Sequence, residues 1–172
     1  ALRELAERRI PDDLNWKALV RKGNEYRGDD AAGRLVARQM NGDLPVDVEV
    51  RECSGESATL IETWQGFDRV YLVDAVESRQ PPGSIHRLVA HEKEMPREFF
   101  HTSTHTSTHA FSLAFSLAEA IELARALDQL PEQVFVYGIE GQWFESGQKL
   151  TPAVKEAIPQ VAQQIIAELK KG

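Results

Sequence analysis

Apolar positions along the chain change period several times, and the changes mark out alternating strands and helices. Val46, Val48 and Val50 alternate with Asp47, Glu49 and Arg51, the two-residue period of a half-exposed strand near a sheet edge. Val70-Tyr-Leu-Val73 is instead continuously apolar and stops at Asp74, the pattern of a strand buried on both faces of a parallel sheet. Ala18-Leu19-Val20 and Val134-Phe-Val-Tyr137 are similar short apolar runs, and Ser84 to Val89 reads as a further strand. The pair Arg21-Lys22 is costly at the end of a central strand unless it reaches solvent, so either the first strand ends early or the segment is altered. Helical spacing covers Ala31 to Met40, Ser57 to Trp64, and a long segment from about Ala110 to Leu127; residues 1–9 read as a short polar helix. A last helix follows Leu150-Thr151-Pro152, with Thr151 as cap and Pro152 in the first turn. Its stripe is Val154, Ile158, Val161, Ile165 and Leu169, and Pro159 inside it should bend or restart the helix.

Strands separated by helix-length segments imply parallel pairing through crossover helices on both faces. The expected fold is α/β: a three-layer α/β/α sandwich with a mostly parallel, twisted sheet of about five strands. Residues 1–172 form a single domain, with 1–16 as an N-terminal extension. Ligands of such sheets collect at the carboxyl ends of the strands, where strand order reverses. The loops after Val20 and Val73 are therefore the places to look for chemistry.

Composition narrows the class. A chain of 172 residues, 42% hydrophobic, can bury a core without staples, and its single cysteine, Cys53, excludes a disulfide framework or a thiolate zinc cluster. A formal net charge of -7 argues against nucleic acid as a partner. No apolar run is long enough to span a membrane, and the charged start of the chain lacks a secretory apolar centre, so a cytoplasmic location is expected.

Asp29-Asp30 follow the first strand and Asp74 ends the third. If those strands are neighbours, the carboxylates converge at one sheet edge, and a histidine at the start of the long helix would complete a mixed oxygen and nitrogen set suited to zinc or nickel. The plainer alternative is that Asp30 caps the Ala31–Met40 helix and Asp74 merely ends a strand. Adjacent Asp29 should point elsewhere, so its loss should be the milder of the two for cleavage. The loop from Gly23 to Asp30 lacks G-x-G-x-x-G spacing and carries acidic residues, which excludes a phosphate cradle. No G-x-S-x-G elbow or H-E-x-x-H motif is present, so ordinary serine-hydrolase and zincin chemistry fails. Cys53 reads as an inert small hydrophobe, Arg34 and Arg38 as a solvated helix face, and Trp64, Trp143 and Phe144 as core or groove aromatics. His101-Thr-Ser-Thr104 is echoed by His105-Thr-Ser-Thr108 and followed by His109, a small local duplication.

Gly23-Asn-Glu-Tyr-Arg-Gly-Asp-Asp-Ala-Ala-Gly33, Tyr71-Leu-Val-Asp-Ala75 and Ser107-Thr-His109 before an apolar helix occur in that order. Gln80-Pro-Pro-Gly83 and Val136-Tyr-Gly-Ile-Glu140, followed by Leu150-Thr-Pro152, add to the pattern. Over roughly residues 17–170 the chain resembles the hydrogenase maturation endopeptidases, the processing proteases of [NiFe] hydrogenase large subunits. The resemblance implies removal of the C-terminal extension of the large-subunit precursor after nickel insertion. It also implies that Asp30, Asp74 and one histidine, most simply His109, serve as both metal ligands and catalytic groups. Nickel is then presented by the substrate, with zinc as a possible surrogate. A non-catalytic module that holds the precursor is the alternative.

Overall fold

The structure, a computed structural model, describes residues 17–22, 28–53, 57–99 and 117–171. Five strands form one sheet: β1 (Lys17–Lys22), β2 (Val48–Cys53), β3 (Arg69–Val76), β4 (Ile85–Val89) and β5 (Gln133–Glu140), in the order β2-β1-β3-β5-β4. The class is mixed α/β. β1 pairs in parallel with β2 and β3, and β3 with β5, whereas β4 runs antiparallel to β5. The exception follows from the connection: β3 and β4 are joined by a turn through Pro81-Pro82-Gly83, and parallel return needs a crossover of a dozen or more residues. As the alternation of Val46, Val48 and Val50 implies, β2 lies at an edge.

Two-residue alternation in the central strands feeds two cores. Val70 and Leu72 of β3, with Val134 and Val136 of β5, pack with α2 (Ser57–Trp64) and α3 (Leu117–Ala126). Tyr71 and Val73, with Tyr137 and Ile139, point to the opposite face and pack with α1 (Ala32–Met40) and α4 (Pro152–Lys170). A buried strand with both faces covered has no polar side to offer, which is why β3 reads as a continuous apolar run. Arg87 of β4 makes paired hydrogen bonds to Glu168 of α4 at 2.6 and 3.0 Å, tying the far edge to the last helix.

Five local expectations are corrected. β1 continues through Arg21 and Lys22, which register beside Glu52 and Cys53 of β2, so the charges do not shorten the strand. β3 extends past Asp74 to Val76. α4 is continuous across Pro159. Lys155, whose carbonyl loses its helical donor to that proline, is exposed, and water can replace the missing bond. Thr151 stands at the N-cap of α4 but makes no side-chain capping bond, and Asp30 does not cap α1, whose N-cap is Ala31. The helix expected over 1–9 and the first part of the long helix before Leu117 lie outside the described residues.

Candidate functional site

Strand order reverses between β1 and β3: one chain direction leads from β1 outward to β2, the other from β3 towards β5 and β4. A crevice at the carboxyl ends of β1 and β3 is the expected ligand position of such a sheet. A 3-10 turn, Gly28–Ala31, follows β1 and packs against β3, so the turn that carries Asp30 is brought to the strand that carries Asp74. Asp30 is half-buried. Asp74 is buried, registers opposite Gly138 of β5, and lines a narrow recess of about 30 Å³. Glu77 and Glu98 also line that recess, and Met95, Phe99 and Leu117 supply apolar wall. Leu117 is the first described residue of α3. His101, His105 and His109, on the chain before it, lie outside the described residues. Among the described residues, no group of three or more His, Cys, Asp or Glu side chains is placed to hold a metal.

Asp29 does something the sequence did not announce. Its side chain is fully buried and gathers four donors from the loop that follows β5. The backbone N–H groups of Gln142 and Trp143 donate to Oδ2 at 2.7 and 2.9 Å, and that of Thr151 donates to Oδ1 at 2.7 Å. The Thr151 hydroxyl, which would otherwise cap α4, also donates to Oδ2. In return the Asp29 N–H donates to the Trp143 carbonyl at 2.7 Å. Burial alone would raise the pKa of this carboxyl; the hydrogen bonds from Gln142, Thr151 and Trp143 outweigh it and hold the group below its ordinary value. Asp29 thus anchors the turn that carries its neighbour Asp30.

Two glycines make this junction possible. A Cβ on Gly28, whose φ is +55°, would stand 2.3 Å from the Trp143 carbonyl oxygen. One on Gly141 would meet Phe144 Cζ at 2.5 Å and Asp29 Cβ at 2.9 Å.

A second buried carboxylate, Glu140, ends β5 and organises the β3–β4 turn. Its Oε1 accepts from the Ser78 N–H at 2.7 Å and the Gln80 N–H at 3.2 Å. Its Oε2 accepts from the Ser78 hydroxyl at 2.7 Å and lies 3.1 Å from His86 Nε2. Sequence reasoning passed over Glu140 as a site residue. The available signal was a lone acid at the end of a buried apolar strand, which has to be paired.

The other candidates sort by burial. Cys53 is buried at the end of β2, and Trp64 is a core residue whose Nε1 donates to the Gln129 carbonyl at 3.2 Å. Arg34 is not a merely solvated residue, because its guanidinium pairs with Glu52 of β2, while Arg38 is exposed. Trp143 leaves its indole 38% exposed although its backbone is bonded to Asp29 at both N and O.

Comparison with known proteins decides the family. The profile of the family described as hydrogenase maturation protease (HycI) matches residues 36–168, well over half of the chain. The chain belongs to the hydrogenase maturation proteases. Membership makes it a peptidase, a hydrolase, in line with the resemblance carried by its motifs. Its fold is similar to that of the hydrogenase maturating endopeptidase HybD from E. coli, with a TM-score of 0.69, 24% identity and coverage of 91% of this chain and 93% of that one. The [NiFe] hydrogenase maturation protease HycI from Thermococcus kodakarensis KOD1 gives a TM-score of 0.66 at 22% identity, covering 92% and 95% of the two chains. The hydrogenase 2 maturation peptidase of a Thaumarchaeota archaeon gives 0.60 at 19%, covering 90% and 97%. No curated protein matches the chain. No helix among the described residues is long and apolar enough to cross a membrane.

Proposed function

We propose that this maturation protease removes the C-terminal extension of a [NiFe] hydrogenase large-subunit precursor once nickel has been inserted, and that it recognises the nickel held by that substrate. The observation that carries the reading is family membership together with two carboxylates on segments that pack against each other. The Asp30 turn packs against β3 at the topological switch, and Asp74 lies buried there on a recess. Asp30, Asp74 and His109 are the residues that would face the ion, with zinc as a surrogate; carboxylate oxygens and a neutral imidazole suit either metal. A bound metal would supply polarisation of the scissile carbonyl. From the chain's side, Asp74 is also suited to hold the attacking water and accept its proton, because it lies largely buried at the carboxyl ends of the central strands and lines a recess with room for a water. The rigidity of the Asp30 turn, fixed through Asp29, keeps its carboxylate oriented before substrate arrives.

The test is cleavage of nickel-loaded precursor, followed by the mass of the large subunit. Asp30→Ala and Asp74→Ala, with Asp74→Asn as the conservative control for folding, should each lower cleavage by about a hundredfold or more, as loss of a general base or metal contact does. His109→Ala should do the same, while His101→Ala and His105→Ala retain most activity. A wild-type enzyme that binds the loaded precursor and leaves its mass unchanged would favour the holding module instead. Full activity in both aspartate variants would overturn the site.

A further inference from the structure

The Asp30 turn packs against β3, whose Asp74 lines an acidic surface, and itself borders a cationic one. On one side lies the recess whose charged residues are Asp74, Glu77 and Glu98. On the other, Gly28 and Ala31 of the same turn form the head of an open groove of about 410 Å³ that continues along α1. Its apolar lining includes Leu35 and Leu150, and both charged residues along it, Arg38 and Lys149, are cationic, in a chain whose net charge is -7. The wall opposite α1 is held in place rather than loose. Thr151, next to Leu150, and Trp143 are both bonded to Asp29, and the Glu145–Gln148 turn is closed by Gln148 N–H to the Glu145 carbonyl at 3.3 Å. A Cβ on Gly28 would also lie 3.4 Å from Gln148 Cβ, so the groove wall and the Asp30 turn are in direct contact.

We infer that this groove is the docking surface for the precursor segment that leaves on cleavage, bound in extended form with an apolar side chain over Leu35 and Leu150 and a carboxylate towards Arg38 and Lys149. The inference rests on the proposed function. If the nickel-bearing part of the substrate faces the acidic recess, chain crossing the scissile bond passes the Asp30 turn and runs away from the recess, into the groove. Charge complementarity then sets direction as well as affinity: an acidic leaving segment is attracted to the groove and repelled by the recess. Preformed walls lower the ordering cost of capturing such a segment.

The experiment reverses the groove's charge. Lys149→Glu, alone and with Arg38→Glu, changes exposed side chains away from the proposed reaction centre, and thermal midpoints confirm that each variant is folded. With nickel-loaded precursor as substrate, KM should rise about tenfold in the double variant while kcat stays within about twofold, since the lost attraction acts on binding and not on the reacting bond. A precursor whose leaving segment has lysines in place of its acidic residues should recover a low KM with the variant and show a raised KM with the wild type. Unchanged KM in both reversals overturns the groove while leaving the protease reading intact. If the wild type cleaves nothing, the protease reading fails, and the groove is judged by binding: a synthetic peptide of the leaving segment, titrated while following tryptophan emission with Trp143→Phe as the spectral control. About tenfold weaker binding to Lys149→Glu/Arg38→Glu supports it, and equal affinity overturns it.

Discussion

Replacing Asp29 by asparagine removes a charge and one acceptor from a site that offers four donors to a single carboxylate. An amide oxygen placed at the Oδ2 position keeps Gln142, Trp143 and the Thr151 hydroxyl, but its NH2 then faces the Thr151 N–H. One buried donor left without a partner costs about 1–3 kcal/mol, and three bonds that pass from charge-assisted to neutral lose about 1 kcal/mol each. Relief from burying a charge offsets part of this, leaving an expected destabilisation of about 2–4 kcal/mol against a total stability of about 5–15 kcal/mol. Asp29→Ala strands all four donors and should cost more. The assay is urea unfolding at pH 7, followed by tryptophan fluorescence.

The pH dependence supplies an independent check. The folded carboxyl of Asp29 lies below the ordinary value of 3.8, so the unfolded chain takes up its proton first as pH falls. The stability due to Asp29 is therefore whole above that value and is lost as pH drops through the folded pKa. The gap between wild type and Asp29→Asn should narrow by up to about 1 kcal/mol between pH 5 and pH 3. A gap below about 1 kcal/mol at pH 7 refutes the anchoring role, and so does a gap that does not change with acid.

Glu140→Gln should cost about 1–3 kcal/mol and Glu140→Ala about 3–5, because its two oxygens hold both backbone and side-chain donors of the β3–β4 turn. Hydrogen exchange at Ser78 and Gln80 should rise in both variants, and unchanged protection there would remove Glu140 from the role. Gly28→Ala should destabilise by about 2–4 kcal/mol in thermal unfolding, since the new methyl meets a backbone oxygen and φ is left-handed. Cys53→Ser should keep full cleavage at a stability cost of about 1–2 kcal/mol, and native enzyme should react slowly with iodoacetamide because the thiol is buried; inactivation by both changes would restore a thiol mechanism.

Strands and helices were legible where one effect dominates. β3 is announced by an unbroken apolar run and α4 by a stripe at helical spacing, because burial on two faces or one stripe leaves no other pattern open; the alternation around β2 located the strand, although Val46 lies outside it and both Val46 and Val50 are exposed. The misjudged positions are those where local and distant partners compete. Thr151-Pro152 predicts a capping hydroxyl from sequence neighbours alone, but the hydroxyl goes to Asp29, far away in the chain. Arg21-Lys22 looks incompatible with a central strand until its register at the carboxyl end is known, with Glu52 beside Arg21. The antiparallel edge strand was hidden because a short turn and a crossover both begin after an apolar strand, and only the length of the connection separates them.

The same competition explains why the structural role of one of the paired aspartates is not announced by the sequence. Both Asp29 and Asp30 follow β1, and sequence treats them alike. A carboxylate drawn into a protein has to be met by donors, and the loop after β5 brings three N–H groups and a hydroxyl to one of the two. Asp29 is thereby committed to structure: its acceptor capacity faces inward, and the turn cannot rotate without breaking several bonds at once. Glu140 is committed in the same way one strand further along. These two acids stitch the loops after β1, β3 and β5 into one rigid rim. A rim held by buried carboxylates lets the neighbouring acids, half-buried Asp30 and Asp74 on its recess, keep fixed positions at the switch point. The proposed recognition of a metal before cleavage would need that division, since a ligand that also had to hold its own loop would lose the loop each time it bound.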